Sequence, residues 1–269
     1  MRIANLENNK RKIISNIGNL AVLEYVDDAS VSPANAMTEY FMSKMGVRRR
    51  QLVCRLNGKN SIITQAGTMQ WTAGNVQATT GLKGVGDLFG KVVKGAVTKE
   101  SAVKPEYVGS GLLVLEPTYK YIILEDMEKW PGGMTIEDGM FLASEGSVKS
   151  KVVARRSLSS AALGNEGLFN LSLYGSGAAA LESNVPASEL IRIELNNDEL
   201  KIDGSMAVCW SSDLSFTVER SSKTLLGSAI NGEGLVNVYR GTGVVLMSPV
   251  APSCSLFAST NTMQANAAK

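Results

Sequence analysis

The glycines Gly84, Gly86 and Gly90 are the first residues whose spacing could do chemistry, since glycine-rich loops let backbone N–H groups cradle a phosphate. Their spacing departs from the dinucleotide fingerprint, and no Gly-Lys-Ser/Thr follows at the Walker spacing. A plain loop is the better reading. Glu166 and Glu233 are recurring carboxylates, but acid–base pairs need two carboxyls about 5 to 10 Å apart in unlike surroundings. Turn glutamates accepting backbone N–H bonds fit them better. The basic clusters Arg48-Arg49-Arg50 with Arg55, and Arg155-Arg156, could grip phosphate or RNA, yet no aromatic-interleaved RNA-binding motif accompanies them. Solvated sheet edges or salt bridges are the expected role.

The chain has no histidine, which removes Ser-His-Asp and Cys-His nucleophilic sites and most transition-metal sites. Cys54, Cys209 and Cys254 are far apart and form no Cys-x-x-Cys pair, so reduced thiols are expected rather than disulfides or a zinc knuckle. No cofactor is expected. A net charge of +2 is too small to forecast a nucleic-acid partner by counterion release. With 269 residues, 44% hydrophobic and 19% charged, the composition is that of a globular chain with a sizeable core. No apolar run approaches the ~18 to 20 residues that cross a bilayer, and the N-terminus lacks a secretory pattern, so a cytoplasmic location is expected.

The elements that must position these residues read as strands. Glu166-Gly167-Leu168-Phe169-Asn170 returns as Glu233-Gly234-Leu235-Val236-Asn237, and each copy leads to a Gly-x-Gly, at Gly175 and Gly177 and at Gly241 and Gly243. Met134-Thr135-Ile136-Glu137 aligns with Leu200-Lys201-Ile202-Asp203 at nearly the same offset, which argues for duplication. A weaker third copy starts at Gly111, and Met69, Met140 and Met206 open equivalent apolar segments. Leu20 to Val26 predicts a strand. Asn57-Gly58 between apolar runs predicts a hairpin, as does Asn196-Asn197-Asp198 between Ile191, Ile193, Leu195 and Leu200, Ile202. Leu214, Phe216 and Val218 alternate with polar neighbours as a half-buried strand. Ser32-Pro33 predicts a helix start, and Met37, Tyr40, Phe41 and Met45 form a stripe expected to pack on the domain's own core.

The expected architecture is all-β: three pseudo-repeats, about 48–125, 126–183 and 184–250, forming a β-sandwich or short double-stranded β-helix body over 36–250. Residues 1–35 are expected as an N-terminal extension and 251–269 as a tail. A helical or loop insertion is expected near 83–99, where Lys83, Lys91 and Lys94 edge Leu88 and Phe89. Together with Arg48, Arg49 and Arg50 these residues form the candidate interaction surface. For the insertion, the domain's own core, a mobile loop, an anionic membrane surface and a protein-partner surface are all open.

Beyond these patterns, the chain resembles the altered inheritance of mitochondria protein twenty-four family, whose fold is like the tryptophan RNA-binding attenuator protein. The resemblance rests on Glu39-Tyr40-Phe41-Met42, Val47-Arg48-Arg49-Arg50-Gln51, Met69-Gln70-Trp71 with Gly74-Asn75-Val76, Lys104-Pro105-Glu106-Tyr107, Phe141-Leu142-Ala143, Trp210-Ser211-Ser212 and the stretches 164–169 and 232–239. It implies a three-repeat all-β body often assembled into oligomers, with no established catalytic residues. Fungal relatives are associated with inner-membrane organisation in mitochondria, and bacterial relatives are uncharacterised. The N-terminus carries Glu7 and no transit signal, so a bacterial-type member is expected. The expected role is a non-enzymatic cytoplasmic scaffold or interaction protein, self-associating. The alternatives are a nucleic-acid-binding β module and peripheral membrane attachment through 83–99.

Overall fold

A computed structural model describes residues 1–79, 104–154, 156–157, 169–220 and 235–250. The insertion at 83–99, Glu166, Glu233, Arg155 and the tail lie outside the described residues. The fold is all-β, with sixteen described strands, one α-helix and two short 3-10 turns. Two eight-stranded sheets hold them.

The first sheet runs β1 (Arg11–Ile17), β2 (Leu20–Tyr25), β3 (Arg50–Thr64), β8 (Phe141–Glu145), β12 (Ala178–Ser183), β6 (Tyr121–Asp126). β1 curls back close to β6, so this sheet nearly closes on itself. β5 (Glu106–Leu115) also pairs with β3 and carries β4 (Met69–Thr79) on its other side. Inside lie Leu20, Val22, Leu52, Cys54, Ile62 and Leu113, each worth roughly 1.5 to 3 kcal/mol where a large side chain is fully buried. Residues 1–35 therefore supply core to the same sheet as β3.

The second sheet runs β10 (Arg156–Ser157), β15 (Ser215–Arg220), β16 (Leu235–Met247), β14 (Ala207–Ser211), β7 (Met134–Ile136), β11 (Phe169–Tyr174), β9 (Lys149–Ala154), with β13 (Ile191–Asp203) on β16. β8 and β12 explain how the sheets meet. Ala178 and Ala180 face the first core while Ala179 and Leu181 face a second one with Ile136, Leu171 and Cys209. A strand buried on both faces shows no polar alternation, and alanine lets two cores approach it. Burial pushes the Cys54 and Cys209 thiols well up, away from the thiolate.

Both expected hairpins are overturned. Asn57-Gly58 lies within β3, which pairs with β5 before and after it, with a register shift between Asn57 and Ser61. Asn197 likewise sits in a bulge of β13, between Leu195 and Asp198, and β13 keeps one partner, β16, throughout. Gly58 (φ +84°) and Asn197 (φ +52°) adopt the left-handed backbone that the reading demanded, but the chain kinks instead of reversing.

Within the second sheet, Arg240 on β16 ties three strands together. It donates to Glu199 on β13 at 2.6 Å and, through Nη2, to Glu219 on β15 at 2.9 Å. Hydrogen bonds from Arg240 and then Thr217 hold the Glu219 carboxyl down to about 2, from 4.5. A depressed carboxyl contributes stability above its unfolded pKa and loses it as pH falls toward its folded value. Glu219→Gln should flatten the acid-side fall in urea-unfolding free energy between pH 4.5 and about 2. The difference should stay under about 1 kcal/mol, since the pair is solvent-screened.

Candidate interaction surface

The helix α1 (Ala36–Lys44) connects β2 to β3 and buries none of its residues. Its N-terminus is Asn35, after a turn in which Asn35 N–H donates to the Ser32 carbonyl, so Ser32-Pro33 precedes the helix rather than capping it. At its end, Gly46 (φ +78°) donates to the Ser43 carbonyl and Val47 to the Met42 carbonyl, a Schellman stop that needs a left-handed residue. The stripe expected to enter the core does not. Met37 is 73% exposed, Tyr40 57%, Phe41 60% and Met45 80%. The first core is filled by strands on every side, and the helix attaches through polar groups instead.

Those groups include the arginine run. Arg49 pairs with Asp28 at 3.2 Å and Glu39 at 3.4 Å, and its Nε donates to the Tyr119 hydroxyl at 2.8 Å. Tyr119 in turn donates to Glu39 at 2.5 Å. The bond with Tyr119 raises the Arg49 pKa, while burial and then Glu39 push the Tyr119 phenol up. Arg50 is only 3% exposed. It meets Glu24 at 2.7 Å, donates to the Arg48 and Gly46 carbonyls, and lies 4.0 Å over the Tyr121 ring. Arg48 shares Glu24 at 3.2 Å. Three guanidinium groups thus face three carboxylates and clamp the segment between α1 and β3. Arg50 stands inside the fold rather than on the expected surface, and Lys83, Leu88, Phe89, Lys91 and Lys94 lie outside the described residues.

A cleft of about 480 Å³ runs between α1 and the end of β2, lined by Tyr25, Asp28, Glu39, Tyr40, Lys44 and Arg49 among others. Lys44 Nζ lies 5.2 Å over the Tyr40 ring at its rim. A second cleft, of about 380 Å³, opens on the other sheet over three hydroxyls. Thr135 bonds Ser172 and Ser212 at 2.9 Å each, and those two bond each other at 2.6 Å. Nothing in the sequence signalled this ring, because its members come from three separate strands or turns. Nor did it signal Glu24, Asp28 and Tyr119 as partners of the arginines. Among the described residues no cluster of three metal-ligating side chains occurs, and no helix is long and apolar enough to cross a membrane.

Residues 43–250, most of the body just described, match the family model "Mitochondrial biogenesis AIM24". The chain belongs to this family. It is 30% identical over 194 residues to an uncharacterised protein of Streptococcus pyogenes serotype M6, spanning 69% of this chain and 75% of the relative. An X-ray structure of a Streptococcus pyogenes protein shares 26% identity and a TM-score of 0.58, covering 81% of this chain and 94% of its own. The AIM24 match begins at Ser43, inside α1, and so takes in the whole arginine run. The bacterial relatives agree with a bacterial-type member.

Proposed function

We propose that this chain is a non-enzymatic cytoplasmic scaffold or interaction protein, homo-oligomeric, that docks a partner protein through α1. The observation carrying this reading is the stripe of Met37, Tyr40, Phe41 and Met45, exposed along α1 and its C-terminal cap, with the helix tied to the body by the Glu39–Arg49 ion pair. Several large apolar side chains in water on one short element are costly for a free chain and mark a docking site. Burying each in a partner returns roughly 1.5 to 3 kcal/mol. Methionines adapt to an irregular surface, and a helix carrying anchors at i, i+4 and i+8 fits an apolar groove. Glu39 is turned inward to Arg49, leaving Lys44 beside the stripe, so a groove with an acidic rim is the matching partner. The absence of histidine from the whole chain accords with a role outside acid–base catalysis.

Quantitative affinity capture from the source cell, comparing the full chain with Met37→Ser/Phe41→Ser, tests this. The retained partner should fall at least tenfold in the variant. Unchanged capture, or turnover by the purified chain in an unbiased small-molecule activity screen, would overturn the reading.

A further inference from the structure

Six strands have one pairing partner among the described residues: β1, β4, β6, β9, β10 and β13. An outer strand presents unpaired N–H and C=O groups, and proteins ordinarily guard such edges with charge, proline or a covering element. Five of the six are guarded by charge. β1 carries Arg11 and Lys12, β6 Glu125 and Asp126, β9 Lys149 and Lys151, and β10 Arg156. β13 carries six charged residues: Arg192, Glu194, Asp198, Glu199, Lys201 and Asp203. β4, Met-Gln-Trp-Thr-Ala-Gly-Asn-Val-Gln-Ala-Thr, has neither a charge nor a proline in 11 residues, and no residue of it is buried. Its inner edge is fixed against β5 in one register from Trp71 to Thr79. Glycines tighten that pair: a Cβ on Gly109 or Gly111 would stand 2.0 Å from a β4 carbonyl oxygen.

We infer that the outer edge of β4 is the self-association surface, pairing antiparallel with β4 of a second copy about a two-fold axis. This rests on the homo-oligomer reading above and uses a surface separate from α1. Two features select a second copy over an unrelated strand. No register of β4 against itself brings like charges together, whereas the charged side chains of β13 would collide in many registers. An isologous contact also matches the two edges in length, and strands of 11 residues can exchange about ten main-chain hydrogen bonds, the number of a typical interface. Pairing centred on Gly74 sets Thr72 opposite Val76 and Trp71 opposite Gln77, all uncharged.

Light scattering after size exclusion at tens of micromolar tests the inference on the full chain. The wild type should run at twice the 28.6 kDa chain mass, and Thr72→Lys/Gln77→Lys, two exposed positions, should associate at least tenfold more weakly with an unchanged circular dichroism spectrum. Should that variant misfold, hydrogen exchange on the wild type decides: amides of 69–79 should gain protection with rising protein concentration, while those of β13 should not. A monomeric wild type would overturn both this inference and the homo-oligomer reading. A dimer that survives the double lysine variant, or is lost only in Met37→Ser/Phe41→Ser, would overturn the β4 assignment and leave homo-oligomerisation standing.

Discussion

Glu145→Ala is expected to lower the unfolding free energy by about 3 to 5 kcal/mol and the Tm by about 10 °C. Glu145 ends β8, is buried, and its carboxylate accepts from three donors that converge on it from the β1–β2 turn and the start of β12. Oε1 accepts from Asn19 N–H at 2.8 Å and Asn19 Nδ2 at 2.6 Å, and Oε2 accepts from Ala178 N–H at 3.0 Å. Two glycines make room for it. A Cβ on Gly18 (φ +54°) would stand 2.6 Å from the carboxylate, and one on Gly177 (φ +118°) 2.8 Å. Alanine at 145 strands all three donors, at about 1 to 3 kcal/mol apiece before local relaxation. Glutamine keeps one carbonyl oxygen and turns an NH₂ toward the remaining donors, so Glu145→Gln should cost about half as much. Urea unfolding followed by circular dichroism at constant m-value measures both. A loss below about 1 kcal/mol for the alanine variant would show that other acceptors take over.

That carboxylate illustrates where reading the chain stops. β2 was legible from Leu20-Ala21-Val22-Leu23 because its apolar residues are consecutive, and β15 from the alternation of Leu214, Phe216 and Val218. Glu145 drew no notice, since its donors Asn19 and Ala178 lie 126 and 33 residues away. The two bulges misled for a different reason. Positive φ at Gly58 or Asn197 is compatible with a hairpin turn and with a kinked strand alike. The choice is made by β5 and β16, each long enough to pair on both sides of the kink, and no residue within the bulge records the length of a partner elsewhere.

The candidate surface divides in the same way. The period of Met37, Tyr40, Phe41 and Met45 located α1, although the Ser32-Pro33 start lies three residues before Ala36, and a stripe's direction depends on whether a core has room for it. Here β3, β5, β8 and β12 fill the space, and the stripe turns to water. For Arg48, Arg49 and Arg50 the charge was evident and its fate was not, because Glu24 and Tyr119 reach them only through sheet pairing and a loop.

Glu24→Ala is expected to cost about 3 to 5 kcal/mol, more than the loss of either arginine it binds. Glu24 is the shared anion of Arg48 and Arg50, and the Arg50 side chain is 4% exposed. Removing the carboxylate leaves a guanidinium in the interior with, among the described residues, the Gly46 and Arg48 carbonyls and the Tyr121 ring to offset it. Arg50→Met is milder, about half that cost, because Glu24 keeps Arg48 at 3.2 Å. Glu24→Met/Arg50→Met should recover to within about 2 kcal/mol of the wild type, since a buried ion pair replaced as a pair removes its desolvation cost with its attraction. Denaturant titration of the three variants measures the cycle, and additive losses would show that the groups act independently. The same clamp fixes the end of α1 through Gly46, so Glu24→Ala should lower stability and partner capture together. Met37→Ser/Phe41→Ser, on side chains already in water, should change stability by under about 0.5 kcal/mol while lowering capture at least tenfold. Only a helix that is displayed, and not packed, separates the two measurements in that way.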